Sequence, residues 1–269
     1  IDLDTLEKLK MYEVKILRAF HDYCAKYGLK YYLIGGALLG SVRYGGFIPW
    51  DDDIDVAMFR EDYERLRLIW DTNPIEGYFL QHNKSDPKFA RGIMKLRLNE
   101  TKLVEYTCRN IDMHHGIYID IFPIDYVKRN YGLIIKLRGI LIRKLLSIRS
   151  IKSGYHNGKY IILKRSIKDL FPLGNNVIDN LIHFLSTIDN NRERNYAIIW
   201  VHSYEWKKQV HEMSVFGLGS SCKFEGYNFI APSDKESFLT KVFGENYLEE
   251  PPYNKRETPH KYIQIEFKE

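Results

Sequence analysis

The feature that most constrains this chain is an aspartate-rich run placed directly ahead of an apolar segment. Asp51, Asp52, Asp53 and Asp55 lie within five residues and lead into Val56. If the run is an extended strand, Asp51, Asp53 and Asp55 share one face with ~6.6 Å between neighbours. Like charges ~4 Å apart repel by roughly 4 kcal/mol at an effective dielectric constant near 20. The run is therefore predicted to hold protons or a metal, and an oxygen-only donor set favours Mg²⁺ or Mn²⁺ over Zn²⁺.

A glycine pair precedes the aspartates at the end of a predicted buried strand. Tyr31 to Ile34 reads as that strand, and Ala37 to Arg43 reads as a short helix beginning after Gly35 and Gly36. Exposed backbone N–H groups at such a helix start favour phosphate binding. Ser41 could add a hydroxyl donor and Arg43 a planar guanidinium for phosphate oxygens. The alternative interpretation of the glycine pair is a simple tight turn.

A third carboxylate interrupts another apolar strand pattern, from Ile117 to Phe122. Burying an unpaired carboxylate is costly, so Asp120 is predicted to have a partner and to face Asp53 and Asp55. The alternatives are a salt-bridged core residue or a residue at a strand end. Asp125 follows a proline and is predicted to cap a helix or turn.

These motifs resemble a known family. Gly35-Gly36 with Asp53-Ile54-Asp55 resembles the signature of the nucleotidyltransferase superfamily, and the whole stretch from Gly35 to Val56 resembles the LicD family. Supporting matches are Lys95-Leu96-Arg97 with Thr101, the stretch 115–125, Phe224-Glu225-Gly226, Pro232, Phe243-Gly244 and Pro251-Pro252. The resemblance covers about residues 31–125 and 224–260, and the middle third of the chain has no recognisable motif.

The resemblance implies an activity. The LicD family comprises phosphocholine transferases of bacterial surface polysaccharides, such as lipopolysaccharide, and of cell-wall teichoic acids; fukutin-type ribitol-phosphate transferases are distant relatives. It thus implies transfer of phosphocholine from CDP-choline to a hydroxyl of an anionic glycan or lipid-linked acceptor, with release of CMP. Alternatives are a CDP-ethanolamine or CDP-ribitol donor, a nucleotidyltransferase acting on nucleic acid, for which no binding module is evident, and an inactive relative that only binds glycan.

Roles follow for individual residues. Asp53 and Asp55 are predicted metal ligands, and Asp120 is a third ligand or the base that activates the acceptor hydroxyl. Lys95 and Arg97 share a strand face and could both reach the donor diphosphate; the alternative is a solvated strand face. Trp50 could contact the quaternary ammonium of choline or pack under the aspartate loop. His260 is placed near the donor by the resemblance, against a simply exposed histidine.

Composition limits the class of protein. The chain of 269 residues is 45% hydrophobic, which is enough for a substantial core. No apolar run approaches the ~18 to 20 residues of a membrane span, and the first residues lack the pattern of a signal peptide. Three scattered cysteines, Cys24, Cys108 and Cys222, suit a reducing compartment. We therefore expect a cytoplasmic protein. A zinc site of Cys108 with His114 and His115 is a weaker alternative, because no fourth ligand is evident.

Positive charge is concentrated in one stretch. Between Tyr126 and Lys168 there are twelve Lys or Arg residues and no Asp or Glu, at positions 128, 129, 136, 138, 143, 144, 149, 152, 159, 164, 165 and 168. Leu133 to Leu146 is predicted to be helical, although its polar face is not clean. The stretch could guide a polyanionic or lipid-linked acceptor at the inner face of a membrane. The alternative is a solvated helix packed on the core.

The pattern as a whole predicts an α/β (α+β) fold: a nucleotidyltransferase-type mixed sheet flanked by helices, with a basic helical middle segment. Three regions are expected: a catalytic core over 1–125, the basic helical segment over 126–222, and a hairpin and helix over 223–269 that complete the core. Predicted helices are Leu3–Tyr27, Arg60–Trp70 and Ser233–Phe243; predicted strands are Tyr78–His82, Ile93–Leu98 and Lys102–Tyr106, with a hairpin over Lys223–Ile230.

Overall fold

A computed structural model describes residues 1–128, 132–155, 173–190, 194–202 and 205–268. Five members of the basic stretch, Arg129, Lys159, Lys164, Arg165 and Lys168, lie outside the described residues. The fold is mixed α/β, as predicted, with helices packed on a curled sheet. The helices are α1 (Leu3–Tyr27), α2 (Gly35–Tyr44), α3 (Arg60–Trp70), α4 (Leu133–Ser153), α5 (Asn175–Thr187), α6 (Trp206–Gln209), α7 (Met213–Phe216) and α8 (Lys235–Phe243). The strands are β1 (Tyr32–Leu33), β2 (Asp55–Phe59), β3 (Tyr78–Gln81), β4 (Met94–Leu98), β5 (Lys102–Glu105), β6 (Tyr118–Val127), β7 (Tyr196–Ile198), β8 (Val210–Glu212), β9 (Ser220–Phe224), β10 (Tyr227–Ala231) and β11 (Tyr262–Glu266).

Helix α1 has the bounds that its sequence predicts. Asp2 caps the first turn by accepting a hydrogen bond from the Thr5 amide at 2.8 Å. Gly28 ends the helix in the left-handed conformation with φ of +61°, which an L side chain rarely adopts. One face, including Leu9, Leu17 and Phe20, is buried in the main core. The helix therefore covers the sheet that carries the carboxylates.

Strand β6 is the centre of the sheet. The order is β1-β2-β6-β4-β3, with β2 parallel to β6 and the other pairs antiparallel. The first half of β6 pairs with β4, and its second half pairs with β7, which in turn pairs with β8. One long strand thus connects the aspartate region to the middle of the chain.

The C-terminal part packs onto the same core. Strands β9 and β10 form the predicted hairpin, and α8 follows it. Strand β11 pairs with β5, which brings residues 260–262 against the aspartate loop. This pairing is what places a residue near the end of the chain beside Asp52.

Helices α4 and α5 pack on a second apolar cluster that is separate from the main core. Ile142 of α4, Ile178 and Ile182 of α5, and Trp200 all lie in this cluster. The division of the chain at residues 125 and 222 stays a prediction. No helix in the described ranges is long and apolar enough to cross a membrane.

Two local predictions are wrong. Asp51 to Asp53 belong to a loop and β2 begins only at Asp55, so Asp51, Asp53 and Asp55 do not line one strand face. Asp125 caps neither a helix nor a turn: it is a fully buried residue within β6. There it accepts two hydrogen bonds from the Arg60 guanidinium, at 2.8 and 2.7 Å.

Candidate active site

Strand register brings two of the three predicted carboxylates together. Asp55 is the first residue of β2, and it pairs directly with Asp120 of the parallel strand β6. Paired residues point to the same face of a sheet, with strands about 4.8 Å apart. Asp53 reaches this face from the preceding loop. One carboxylate oxygen from each of Asp53, Asp55 and Asp120 lies within 4.8 Å of the other two.

A lysine on the third strand faces Asp120. Lys95 of β4 pairs with Asp120, so the same sheet face carries aspartate, aspartate and lysine across three strands. Its Nζ lies 2.8 Å from Asp120 Oδ1 and 3.6 Å from Glu105 Oε1. It also lies 3.2 Å from the centre of the Tyr118 ring. Lys95 is buried, so its interpretation as part of a solvated strand face is wrong.

A second group of side chains lies beside the first. His260 Nδ1 donates to Asp52 Oδ1 at 2.9 Å and lies 4.0 Å from Asp53 Oδ2. The hydroxyl of Tyr262 donates to the Asp52 backbone carbonyl at 3.4 Å. Asp52, Asp53 and His260 also have potential ligand atoms within 4.8 Å of one another. His260 is therefore part of the aspartate region and not a simply exposed histidine.

Burial and mutual repulsion perturb the acids. Burial, with repulsion from Asp55 and Asp51, raises the pKa of Asp53 well above its usual value. Burial and Asp55 raise the pKa of Asp51 to about 7. Burial raises the pKa of Asp120, although Lys95 opposes the shift. The charged forms of these carboxyl groups therefore repel one another. A bound cation would relieve this repulsion.

Helix α2 points its N-terminus at the same carboxylates. Gly35 has φ of +57°, and a Cβ added there would lie 2.8 Å from Asp55 Oδ2. A Cβ added at Gly36 would collide with the carboxylate of Asp51. Gly35 is therefore favoured by its left-handed backbone, and both glycines lie in direct contact with the aspartate carboxylates, so the glycine pair is more than a turn. The N–H groups of the first turn and the helix dipole favour an anion at this position.

Ser41 and Arg43 lie further along α2 and contact the C-terminal part of the chain. The Ser41 hydroxyl donates to the Lys223 carbonyl at 3.0 Å. The Arg43 guanidinium donates to the Glu249 carbonyl. The structure does not place these two side chains among the carboxylates, so a direct contact with donor phosphate has no geometric support.

Arg97 and Trp50 also have protein partners. Arg97 is 2% exposed and donates to Gln81 Oε1 and to the Gly116 carbonyl, both at 2.6 Å. It therefore lies in the core and not on a solvated face, and its contact with the donor stays a prediction. Trp50 packs partly buried on the main core, with the Arg256 guanidinium 5.3 Å from its ring centre. Packing under the loop is thus observed, while contact with a choline group stays a prediction.

Some residues near the carboxylates were not predicted, and two of them, His202 and Glu13, are titratable groups that lie beside the aspartates. His202, from the middle of the chain, places Nε2 3.6 Å from Asp55 Oδ2, and its ring centre lies 4.9 Å from that of Phe122. No local motif marks it, because the strand pairing of β7 with β6 carries it there. Glu13 of α1 is fully buried near Asp52, and neither of its carboxylate oxygens has a hydrogen-bond partner in the described part of the chain. Glu13 lies within the apolar stripe of α1, and an acidic residue at such a position could have been recognised in the sequence as a buried carboxylate.

The donor set fits a hard divalent cation. Asp53, Asp55 and Asp120 offer only oxygen atoms, as Mg²⁺ or Mn²⁺ prefers, and Asp52 Oδ2 is buried without a partner among the residues described. The zinc alternative loses its basis. Cys108 contacts the Glu105 carbonyl, His114 contacts Asn99, and His115 contacts the Ile111 carbonyl. Across the described ranges, these three residues do not form a group of potential metal ligands.

The structure combines a mixed sheet with a glycine-led helix start beside clustered aspartates, which is the arrangement that the sequence motifs predict. A family model described as the LicD/FKTN/FKRP nucleotidyltransferase domain matches residues 28–136. This range includes the glycine pair and all three carboxylates. The matched range is thus similar to the LicD family domain, which confirms the predicted resemblance.

Individual relatives extend the comparison. The lipopolysaccharide cholinephosphotransferase LicD of Haemophilus influenzae is 27% identical over 269 residues, which cover 95% of this chain and 96% of that protein. The human and mouse ribitol 5-phosphate transferases FKRP are each 40% identical over 68 residues, covering 24% of this chain and 12% of theirs. These matches also confirm the prediction of a LicD-type transferase.

Proposed function

We propose that this chain transfers a phosphorylated alcohol from a cytidine diphosphate donor to a glycan hydroxyl, with CDP-choline as the first donor to test. The observation that carries the proposal is the meeting of Asp53, Asp55 and Asp120 oxygens within 4.8 Å at the N-terminus of α2. The similarity to a lipopolysaccharide cholinephosphotransferase along nearly the whole chain supports the choline headgroup.

The reaction is a substitution at phosphorus. The acceptor oxygen forms a bond to the phosphorus that carries the alcohol, the bond from that phosphorus to the CMP oxygen breaks, and the hydroxyl proton is released to water. The products are CMP and a phosphodiester on the glycan. A divalent cation, Mg²⁺ or Mn²⁺, would supply charge neutralisation at the diphosphate.

The chain's own residues have distinct tasks in this proposal. Asp53 and Asp55 would hold the cation, with Asp120 as third ligand. Lys95 keeps the Asp120 carboxylate in position through the 2.8 Å ion pair. The first-turn N–H groups of α2 would bind donor phosphate oxygens, and Asp52 fixes the orientation of the His260 ring.

The FKRP relatives favour a second candidate donor, CDP-ribitol. Their similarity is confined to a short part of this chain, so it supports the phosphotransfer site more than the identity of the headgroup.

The three buried free thiols fit the predicted reducing, cytoplasmic environment.

The test measures CMP release from CDP-choline, CDP-ethanolamine and CDP-ribitol, with Mg²⁺ or with EDTA, in the presence of lipopolysaccharide or teichoic acid. Calorimetry of donor binding runs alongside. We expect Mg²⁺-dependent CMP release with a preference for CDP-choline. Preference for another donor would replace choline by that donor's headgroup in the proposal. Donor binding without release would indicate an inactive relative, and neither binding nor release with any donor would overturn the proposal.

A further inference from the structure

Two neighbouring helices expose more apolar surface than a solvated helix pair needs. On α4, Leu133, Ile134, Leu137 and Leu141 are 72, 79, 56 and 46% exposed. On α5, Val177, Leu181, Phe184 and Ile188, just after its end, are 45, 38, 58 and 43% exposed. Contiguous exposed apolar residues of this kind mark a surface that another phase or partner covers. We call these eight residues the apolar face.

The two rows point away from the same core. Ile142 and Leu145 of α4, and Ile178 and Ile182 of α5, pack into one apolar cluster. The helices run antiparallel, because Arg138 near the start of α4 bonds to carbonyls at the end of α5. Their opposite sides therefore face outward together. Residues 177, 181, 184 and 188 follow the spacing of a single helical stripe.

Helix α4 is apolar on both sides, and a lysine lies within its outward side. At 100° per residue, Lys144 falls between Leu133 and Leu137, while Lys136 lies at the edge of the row. Both lysines are exposed, and in the described part of the chain neither forms an ion pair. Lysine is depleted in protein interfaces, but at a lipid surface its long side chain reaches the headgroups while its methylenes stay in the apolar layer.

The acidic groups of these helices are neutralised internally. Arg149 Nε lies 2.9 Å from Asp179 Oδ1, and Arg138 Nη1 lies 2.5 Å from Asp189 Oδ2. The sequence from 126 to 168 adds no carboxylate. The face thus combines exposed apolar side chains with two exposed lysines, while Asp179 and Asp189 are each paired with an arginine. This combination fits an anionic lipid surface better than a second copy of the chain.

We infer that the apolar face of α4 and α5, with Lys136 and Lys144, docks the protein on the surface of an anionic lipid bilayer. The apolar side chains enter the headgroup boundary, and the lysines attract lipid phosphates. This docking is independent of the proposed catalytic reaction and can be tested without a donor or acceptor.

The test is flotation of the full chain with vesicles of phosphatidylcholine alone or of equal parts phosphatidylcholine and phosphatidylglycerol. The apolar variant combines Leu181→Gln with Phe184→Gln; its control combines Leu3→Gln with Leu218→Gln, which are 76 and 84% exposed elsewhere. The charge variant combines Lys136→Gln with Lys144→Gln. Its control combines Lys15→Gln with Lys30→Gln, exposed lysines outside both helices. Circular dichroism verifies that each variant is folded.

We expect wild-type binding to the anionic vesicles only. The charge variant should bind about 30-fold more weakly, since each lysine near such a surface contributes ~1 kcal/mol. The apolar variant should bind at least about tenfold more weakly, and both controls should bind like the wild type. Absence of binding at low salt, or equal losses in variants and controls, would overturn the inference. The inference would also be overturned if the apolar variant bound vesicles like the wild type but had a different molar mass in analytical ultracentrifugation, because the face would then join two copies of the chain.

Discussion

The two halves of strand β6 each carry an aspartate, Asp120 partly buried and Asp125 fully buried, and the two differ in how their charge is compensated. Asp125, at the end that pairs with β7, accepts a bidentate contact from Arg60 and a hydrogen bond from Asn190 at 2.9 Å. Asp120, at the other end, shares a single lysine with a group of further carboxylates. The first charge is satisfied within the protein, and the second lies in a group with excess negative charge.

The surroundings of the two ends agree with this contrast. A cavity of about 370 Å³ borders the Asp125 end, and its lining includes two ion pairs, Arg149 with Asp179 and Arg60 with Asp125. At the Asp120 end, Asp52 Oδ2 and the Glu13 carboxylate lack hydrogen-bond partners among the residues that the structure describes. This cavity therefore does not mark the candidate site, which is distinguished by its uncompensated negative charge.

The largest effect should come from Asp53→Asn at the uncompensated end. Turnover should fall at least about 10³-fold, which is ~4 kcal/mol of transition-state stabilisation, because a predicted metal ligand is lost. Thermal unfolding in EDTA should occur at an equal or higher temperature, because one repelling charge is removed. Asp112→Asn, at a side chain that is 99% exposed, is the control and should change neither measurement. Normal turnover in the Asp53 variant would refute the metal-ligand role.

Asp125→Asn should have the opposite signature. It leaves the buried Arg60 guanidinium undercompensated, so the free energy of unfolding should fall by about 3 kcal/mol in urea titrations. Turnover of the folded protein and its Mg²⁺ dependence should stay near the wild-type values. The pair of Asp62 with Arg65, whose side chains are 18 and 51% exposed, offers a comparison: Asp62→Asn should cost at most about 1 kcal/mol. If Asp125→Asn lost turnover without losing stability, the proposed difference between the Asp125 and Asp120 ends of β6 would be wrong.

Lys95→Met tests how far the lysine compensates Asp120. Turnover should fall about 10- to 100-fold, as for residues that position metal ligands. The rise in unfolding temperature on adding Mg²⁺ should exceed that of the wild type, because the carboxylates then depend more on the cation. Lys88→Met, at a lysine that is 55% exposed, serves as the control. A raised KM for the donor with unchanged kcat would instead favour direct contact of Lys95 with the diphosphate.

The smallest effect concerns pH. The folded-state pKa of Asp51 is raised to about 7, so the folded protein binds more protons than the unfolded chain above pH 4. Stability of the metal-free protein should therefore decrease as pH rises, by about 1.4 kcal/mol from pH 6 to pH 8 for this group. Saturating Mg²⁺ should remove most of the decrease. Denaturant titrations in EDTA and in Mg²⁺ measure both slopes, and a metal-free stability that rises over this range would contradict the charge excess.

Local elements were the most predictable part of the fold. The bounds of α1 follow from Asp2, Gly28 and the apolar spacing between them, and α3 also has its predicted bounds. The start of β2 was misplaced because alternation of acids looks the same in a strand and in a loop. Asp125 was misread because its partner, Arg60, lies 65 residues away in sequence.

The candidate site was predictable only as far as its motifs are contiguous. Gly35, Gly36, Asp53 and Asp55 lie in one short stretch, and Asp120 is conspicuous as an acid within an apolar strand. Arg97 has the same strand parity as Lys95, yet it bonds to Gln81 and Gly116 in the core. The alternation of side chains along a strand shows which face a residue lies on, but not how deeply it is buried.

The sequence by itself determined that carboxylates and a glycine-led helix start would occur together, since both lie on one continuous segment with strong local propensities. Only the tertiary structure decided which distant groups meet them. The β2–β6 register sets Asp120 beside Asp55, and the β5–β11 pairing brings His260 to Asp52. The packing of α1 buries Glu13 near Asp52 and Asp120. The physical reason is that strand pairing and helix packing join residues far apart in sequence, whose contacts no local pattern encodes.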